Sequence, residues 1–180
     1  MPEGRSHHDE MEERGMDETA AGGDVFDMLK TDHRRVQDLF TRFEDADKRT
    51  RISIAQQTLA ALEVHTALEE ELVYPAIAEV IEDEELVNEA REEHHVAKLL
   101  IKELHKMNAG DDAFATKFRV LGELVSHHIE EEEGEIFPQA QEGGFEPERL
   151  SEQVSKRKAK LMQKYEGGKK PSASRRKKAA

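Results

Sequence analysis

Two short segments carry a histidine and, four residues on, a glutamate: His65 with Glu69 in HTALEEELVYP, and His128 with Glu132 in HIEEEEGEIFP. Residues i and i+4 share one face of a helix, with Cβ atoms ~5–6 Å apart, so each pair can offer a nitrogen and an oxygen to the same cation. His33 and His94 stand alone in their own segments, KTDHRRVQDLF and EEHHVAKLL. The 180-residue chain has no cysteine, which removes disulfides, Cys-ligated zinc, iron–sulfur clusters and thiol nucleophiles together. What remains is nitrogen and oxygen coordination. Imidazole with carboxylate suits iron or manganese better than magnesium or calcium, and the lack of thiolate disfavours Cu(I).

These segments belong to an internal repeat. At an offset of 63, His65 falls on His128, Glu69 on Glu132, Val73 on Ile136, Tyr74 on Phe137 and Pro75 on Pro138. At an offset of 61, Asp32 falls on Glu93 and His33 on His94, while Val36, Leu39, Phe40 and Phe43 meet Ala97, Leu100, Ile101 and Leu104. Two helical hairpins of one pattern predict an all-α, up-down four-helix bundle with a pseudo-twofold axis.

Helical periodicity supplies the elements. The first helix is expected over about 25–47, the second over 51–80, the third over 83–107 and the fourth to about 141. Asn108-Ala109-Gly110 reads as a helix stop, and Asp111 or Asp112 as the cap of the next helix. Gly143-Gly144 ends the fourth helix, and a short fifth is expected from Glu148 to about Tyr165, with Leu150, Val154 and Leu161 inward. The domain reading is therefore a disordered acidic lead over 1–24, a bundle over 25–142, a helical extension over 143–166 and a disordered basic tail over 167–180. Pro75 and Pro138 are expected to kink or end the straight parts of their helices.

The apolar neighbours fix which way the chemistry faces. His65 has Leu62 at −3, Leu68 at +3 and Leu72 at +7; His128 has Leu124 at −4 and Val125 at −3. His33 and His94 are flanked likewise by Leu29, Val36 and Phe40, and by Ala90, Ala97 and Ile101. All four histidines and both glutamates are thus placed on inward stripes. Unpartnered buried carboxylates cost several kcal/mol, so two of them facing each other must take up protons or bind cations. The neighbouring groups read differently. His95 and His127 fall off the core stripe and are expected in solvent or behind the ligands, although His127 with Glu131 or Glu132 offers an alternative register. His105 ends its helix as a dipole partner, His7 and His8 lie in the lead, and the run Glu130–Glu133 is a solvated face from which only Glu132 is assigned to the site. Tyr74 and Phe137 read as packing residues at the bundle end; beside a metal pair Tyr74 could also donate a proton or an electron.

Carried by His33, His65-x-x-x-Glu69, His94 and His128-x-x-x-Glu132, the chain over 25–142 resembles the hemerythrin-like proteins, the HHE cation-binding domain family. The resemblance implies two iron ions with an oxo or hydroxo bridge: Glu69 and Glu132 would bridge them, His33 and His65 would serve one and His94 and His128 the other. It also implies a small ligand, O₂, peroxide or nitric oxide. The oxygen carriers of the family have HxxxH on the third helix and HxxxxD on the fourth. Here Lys98 follows His94 at +4, and the fourth helix has HxxxE. The departures leave more exchangeable positions and favour peroxide or nitric oxide chemistry over simple oxygen carriage.

Other function classes lack their signatures. Ferritin-like coordination needs Glu-x-x-His twice, and only Glu92-x-x-His95 fits; neither HExxH nor a glycine-rich phosphate loop occurs. Charged residues make up 37% of the chain against 36% apolar, mean hydropathy is −0.82, and no apolar run is long enough to span a membrane. The opening stretch is acidic with no apolar h-region, so the expected location is cytoplasmic. The net charge of −13 divides unevenly: Lys156 to Ala180 holds eleven Lys/Arg and one acid, Glu166. An acidic body with a basic tail is no generic nucleic-acid binder, but the tail could contact a polyanion. The competing expectation is an iron-sensing module that regulates a partner through that tail.

Overall fold

The structure, a computed structural model, describes residues 23–167. Regular structure among them is entirely helical: α1 (Val25–Asp45), α2 (Lys48–Leu68), a π-helical turn π1 (Glu69–Val73), α3 (Tyr74–Ile77), α4 (Glu84–Leu104), α5 (Asp112–Glu131), π2 (Glu132–Ile136), α6 (Phe137–Glu142) and α7 (Glu148–Gly167). The lead and the basic tail lie outside the described residues, apart from Gly23 and Asp24 at one end and Gly167 at the other.

Local chemistry sets the boundaries. The Asp24 side chain accepts from Asp27 N–H at 2.9 Å, and that of Asp47 from Thr50 N–H at 2.8 Å, capping α1 and α2. Asp111 occupies the cap position of α5 without bonding a helix N–H; its carboxylate instead accepts from the Asn108 amide at 3.1 Å. Gly144, at φ +91°, takes the left-handed conformation that ends α6, while Phe145 N–H donates to Ala140 O at 2.8 Å. Gly143 serves another need: a Cβ there would lie 2.2 Å from Val80 O, so the turn after α6 packs on the turn after α3 with no room for a side chain.

Helix α1 packs along α2, and α4 along α5; α1 also meets α5, α2 meets α4, and α7 lies against α2 and α1. Two apolar clusters fill the interior. One holds Phe26, Leu29, Leu68, Tyr74, Ile77, Phe137 and Val154, so α7 shares this core. The other holds Val36, Leu39, Phe43, Ile101, Phe114, Phe118 and Leu121. Each site histidine sits along its helix between residues of the first cluster and residues of the second. A polar layer therefore separates two dry ones.

The second and fourth long helices are not continuous α-helix as expected. In each, the backbone widens into a π turn that begins at the glutamate of His-x-x-x-Glu. Tyr74 N–H donates to Glu69 O and Phe137 N–H to Glu132 O, the i→i+5 bond. The proline that follows explains the widening. It has no N–H, and its ring excludes the carbonyl four residues back, so the straight α-helix ends there and the chain takes in one extra residue. Single π turns of this kind are common at functional sites.

Candidate metal centre

His33 and His94 project from the middle of α1 and α4, His65 and His128 from the last turn of α2 and α5, and Glu69 and Glu132 open the two π turns. All six are buried. The imidazoles meet in pairs: His33 Nε2 lies 3.0 Å from His65 Nε2, and His94 Nε2 lies 3.0 Å from His128 Nε2. Each glutamate spans both pairs. Glu69 Oε1 is 3.0 Å from His65 Nε2 and Oε2 is 3.4 Å from His94 Nε2; Glu132 Oε2 is 3.3 Å from His33 Nε2 and 3.5 Å from His128 Nε2. His33, His65, Glu69 and Glu132 form one group, and Glu69, His94 and His128 a second, with ligand atoms in each within 4.8 Å of one another.

The donor set fits a pair of cations. Both oxygens of Glu69 and Oε2 of Glu132 are buried without a hydrogen-bond partner. Such oxygens are costly in an apolar interior unless a positive charge meets them. Burial disfavours charge on Glu69, yet His65 and His94 beside it outweigh that and hold its carboxyl well below the usual range. Burial likewise opposes protonation of His65, but Glu69 and Asp32 prevail and raise its pKa to about 10; that of His128 is raised against burial by Glu132 and Glu93.

Tyr74 is more than a packing residue at the bundle end: its hydroxyl enters the buried polar layer, the second of the two places the sequence left open for it. A π turn places residue i+5 one turn directly above residue i, so Tyr74 stands over Glu69 and faces inward. Its hydroxyl donates to Glu132 Oε1 at 2.7 Å and lies 3.4 Å from Nε2 of both His94 and His128. Burial, reinforced by Glu132 and Glu69, holds the phenol proton far above its ordinary pKa. Phe137, the repeat counterpart, stacks on His33 with ring centroids 6.3 Å apart.

Glu133 corrects the sequence reading. It lies on the acidic run read as solvated, yet its carboxylate takes the outer nitrogen of His33, with Oε1 2.7 Å from Nδ1. Glu93 Oε2 meets His128 Nδ1 at the same 2.7 Å. Glu70 and Asp32 stand opposite Nδ1 of His94 and His65, at 3.3 and 3.8 Å. Every site histidine therefore faces a carboxylate on its outer side, the usual means of fixing the tautomer and orientation of a metal-binding imidazole. The repeat held the signal for these four: Asp32 aligns with Glu93 and Glu70 with Glu133.

The model of the hemerythrin HHE cation-binding domain matches residues 24–140. The chain belongs to that family. A solved structure of an HHE cation-binding domain-containing protein from Mycobacterium kansasii shares this hemerythrin-like fold, with a TM-score of 0.66 and 21% identity over 81% of this chain and 89% of that one. No curated protein matches significantly.

The remaining histidines of the hemerythrin-like domain stay outside the buried layer. His95 and His105 are exposed, the latter 3.3 Å from Glu63. His127 is exposed too, with Nε2 3.2 Å from Glu131, so the alternative register belongs to a surface group with Glu93. No helix among the described residues is long and apolar enough to cross a membrane.

Proposed function

We propose that the domain is an up-down four-helix bundle holding two iron ions, and that the pair meets O₂, peroxide or nitric oxide. His33 and His65 would hold one ion and His94 and His128 the other, with Glu69 and Glu132 each able to reach both. The observation that carries this reading is that each buried glutamate touches one imidazole of each pair, while three of the four carboxylate oxygens lack a hydrogen-bond partner. When bound, such an ion pair supplies neighbouring redox-active positions that a small ligand can occupy.

The chain's own residues shape what can happen there. Val36, Leu62, Ala97, Leu124 and Val125 line a cavity of about 20 Å³ against the four histidines. That is room for about one water-sized molecule behind a mostly apolar wall, which suits a small ligand. Tyr74 holds a hydroxyl proton in this layer, bonded to Glu132 Oε1 and close to Nε2 of His94 and His128. Carriage alone needs no such donor, and its presence supports turnover of peroxide or nitric oxide.

Protein loaded anaerobically with ferrous iron should bind two Fe per chain and develop near-ultraviolet charge-transfer bands on oxidation. One metal at saturation, or zinc preferred when iron is plentiful, removes the di-iron reading. Iron-dependent peroxide decay or nitric oxide consumption should follow, in a protein that works in the cytoplasm. A second reading is an iron sensor that signals through the basic tail, since α7, which leads into it, ion-pairs with Asp32 beside His65. Slow turnover together with iron-dependent binding to a polyanion would favour it.

A further inference from the structure

The four outer carboxylates form two repeat-related pairs, Asp32 with Glu93 and Glu70 with Glu133, but the members of each pair do not hold their histidines alike. Glu133 and Glu93 sit 2.7 Å from Nδ1 of His33 and His128. Asp32 and Glu70 stand back at 3.8 and 3.3 Å, and Nδ1 of both His65 and His94 is buried with no hydrogen-bond partner. The missing contacts have been taken by lysines. Lys158 Nζ, on α7, lies 2.6 and 2.7 Å from the two oxygens of Asp32. Lys98 Nζ, on α4, lies 2.6 and 2.8 Å from the two oxygens of Glu70. Among the described residues neither Glu133 nor Glu93 has a lysine or arginine partner. The position in α1 that aligns with Lys98 is the uncharged Gln37, and α7 has no counterpart in the repeat.

We infer that Lys158 and Lys98 are positioning residues that make His65 and His94 the two loosely held histidines of the site, by drawing Asp32 and Glu70 away from them. An imidazole whose outer N–H is bonded to a carboxylate is a more basic and better oriented ligand than one whose outer nitrogen is unpaired. Each metal position then combines one firm imidazole, His33 or His128, with one loose imidazole, His65 or His94. The loose pair is where a coordination position opens, and α7, outside the residues matched by the family model, controls half of it. Lys98 stands where the oxygen carriers have their additional histidine, and here it weakens a ligand instead of adding one.

The inference rests on the metal-binding reading, and two measurements on the full chain separate the two. In metal-free protein, nitrogen-edited NMR of the imidazoles should show carboxylate-bound Nδ1 protons for His33 and His128 only. Lys158→Met should add that of His65 and Lys98→Met that of His94, while Lys158→Arg should keep the wild-type pattern. In iron-loaded protein, each lysine-to-methionine variant should slow iron release to a chelator about tenfold, and the double variant Lys158→Met/Asp32→Asn should lose that gain. Carboxylate-bound protons on all four wild-type histidines, or iron release unchanged in both lysine variants, overturns the inference. Failure to bind two irons overturns the metal reading alone, because the NMR pattern still decides whether the lysines divert the carboxylates.

Discussion

The two hairpins carry one pattern and present it differently. In the first half, α1 to α3, the residue above the buried glutamate is Tyr74; in the second, α4 to α6, it is Phe137. Tyr74 reaches across to the other half and donates to Glu132, whereas Phe137 stacks on His33 and Phe26 and leaves both oxygens of Glu69 unpartnered. A single oxygen atom at one repeat position thus makes the two carboxylates chemically unlike, although their spacing to histidine and their π turns are the same. The outer flanks differ too. Helix α7 covers Asp32 on the first half, while on the second Glu93 faces His127 and Glu131 at the surface. Duplication supplies a symmetric donor set; small substitutions and an added helix supply direction.

The largest effect should come from the residues the halves share. Glu69→Ala and Glu132→Ala should each lose most of the paired iron, since each glutamate spans both imidazole pairs; retention of two irons in either variant would break the equivalence. Glu133→Ala should come next, with a weaker hold on iron by roughly 10- to 100-fold, because it removes the carboxylate behind His33. Glu131→Ala should match wild type, and a reversal of these two would return the register to His127.

Tyr74→Phe makes the halves alike and tests what the hydroxyl contributes. Iron content should persist, while loss of the bond to a buried carboxylate should destabilise metal-free protein by about 1–3 kcal/mol, measured by denaturant unfolding. Turnover of peroxide or nitric oxide should fall more than iron affinity does. Equal turnover in wild type and variant would take Tyr74 out of the chemistry.

A smaller effect is expected from pH. In chelator-treated protein the folded pKa of His65 is about 10, above the ordinary value near 6.5 for an unfolded chain, and His128 shifts the same way. A raised pKa stabilises the fold fully below the unfolded value and loses that contribution as pH rises through the folded one. The melting temperature of chelator-treated protein should therefore decline between about pH 6.5 and about 10, a trend that a flat or rising profile would contradict. The smallest effect belongs to the tail. Removing residues 169–180 should leave iron content and spectra unchanged, because every ligand and positioning residue of the site, Lys158 included, precedes the cut, and should weaken polyanion binding in a salt-dependent way. Loss of iron on truncation would tie the tail to the site.

Sequence alone determined the helical class, the two-hairpin repeat and the inward face of six residues, because apolar spacing at 3.6 residues per turn is a local property that survives without coordinates. His33, His65, Glu69, His94, His128 and Glu132 were legible for that reason. The tertiary structure decided what a single helical period cannot express. A π turn shifts every residue beyond it, and only with that turn in place is the Tyr74 hydroxyl seen to reach Glu132. Glu133 falls between core and solvent, and only its distance to a histidine one hundred residues away in sequence gives it a role. Likewise nothing in the spacing of Lys158 or Lys98 tells which carboxylate each will hold, since those pairs form across packed helices rather than along one. Pattern along a helix fixed which groups enter the interior; packing between helices chose their partners.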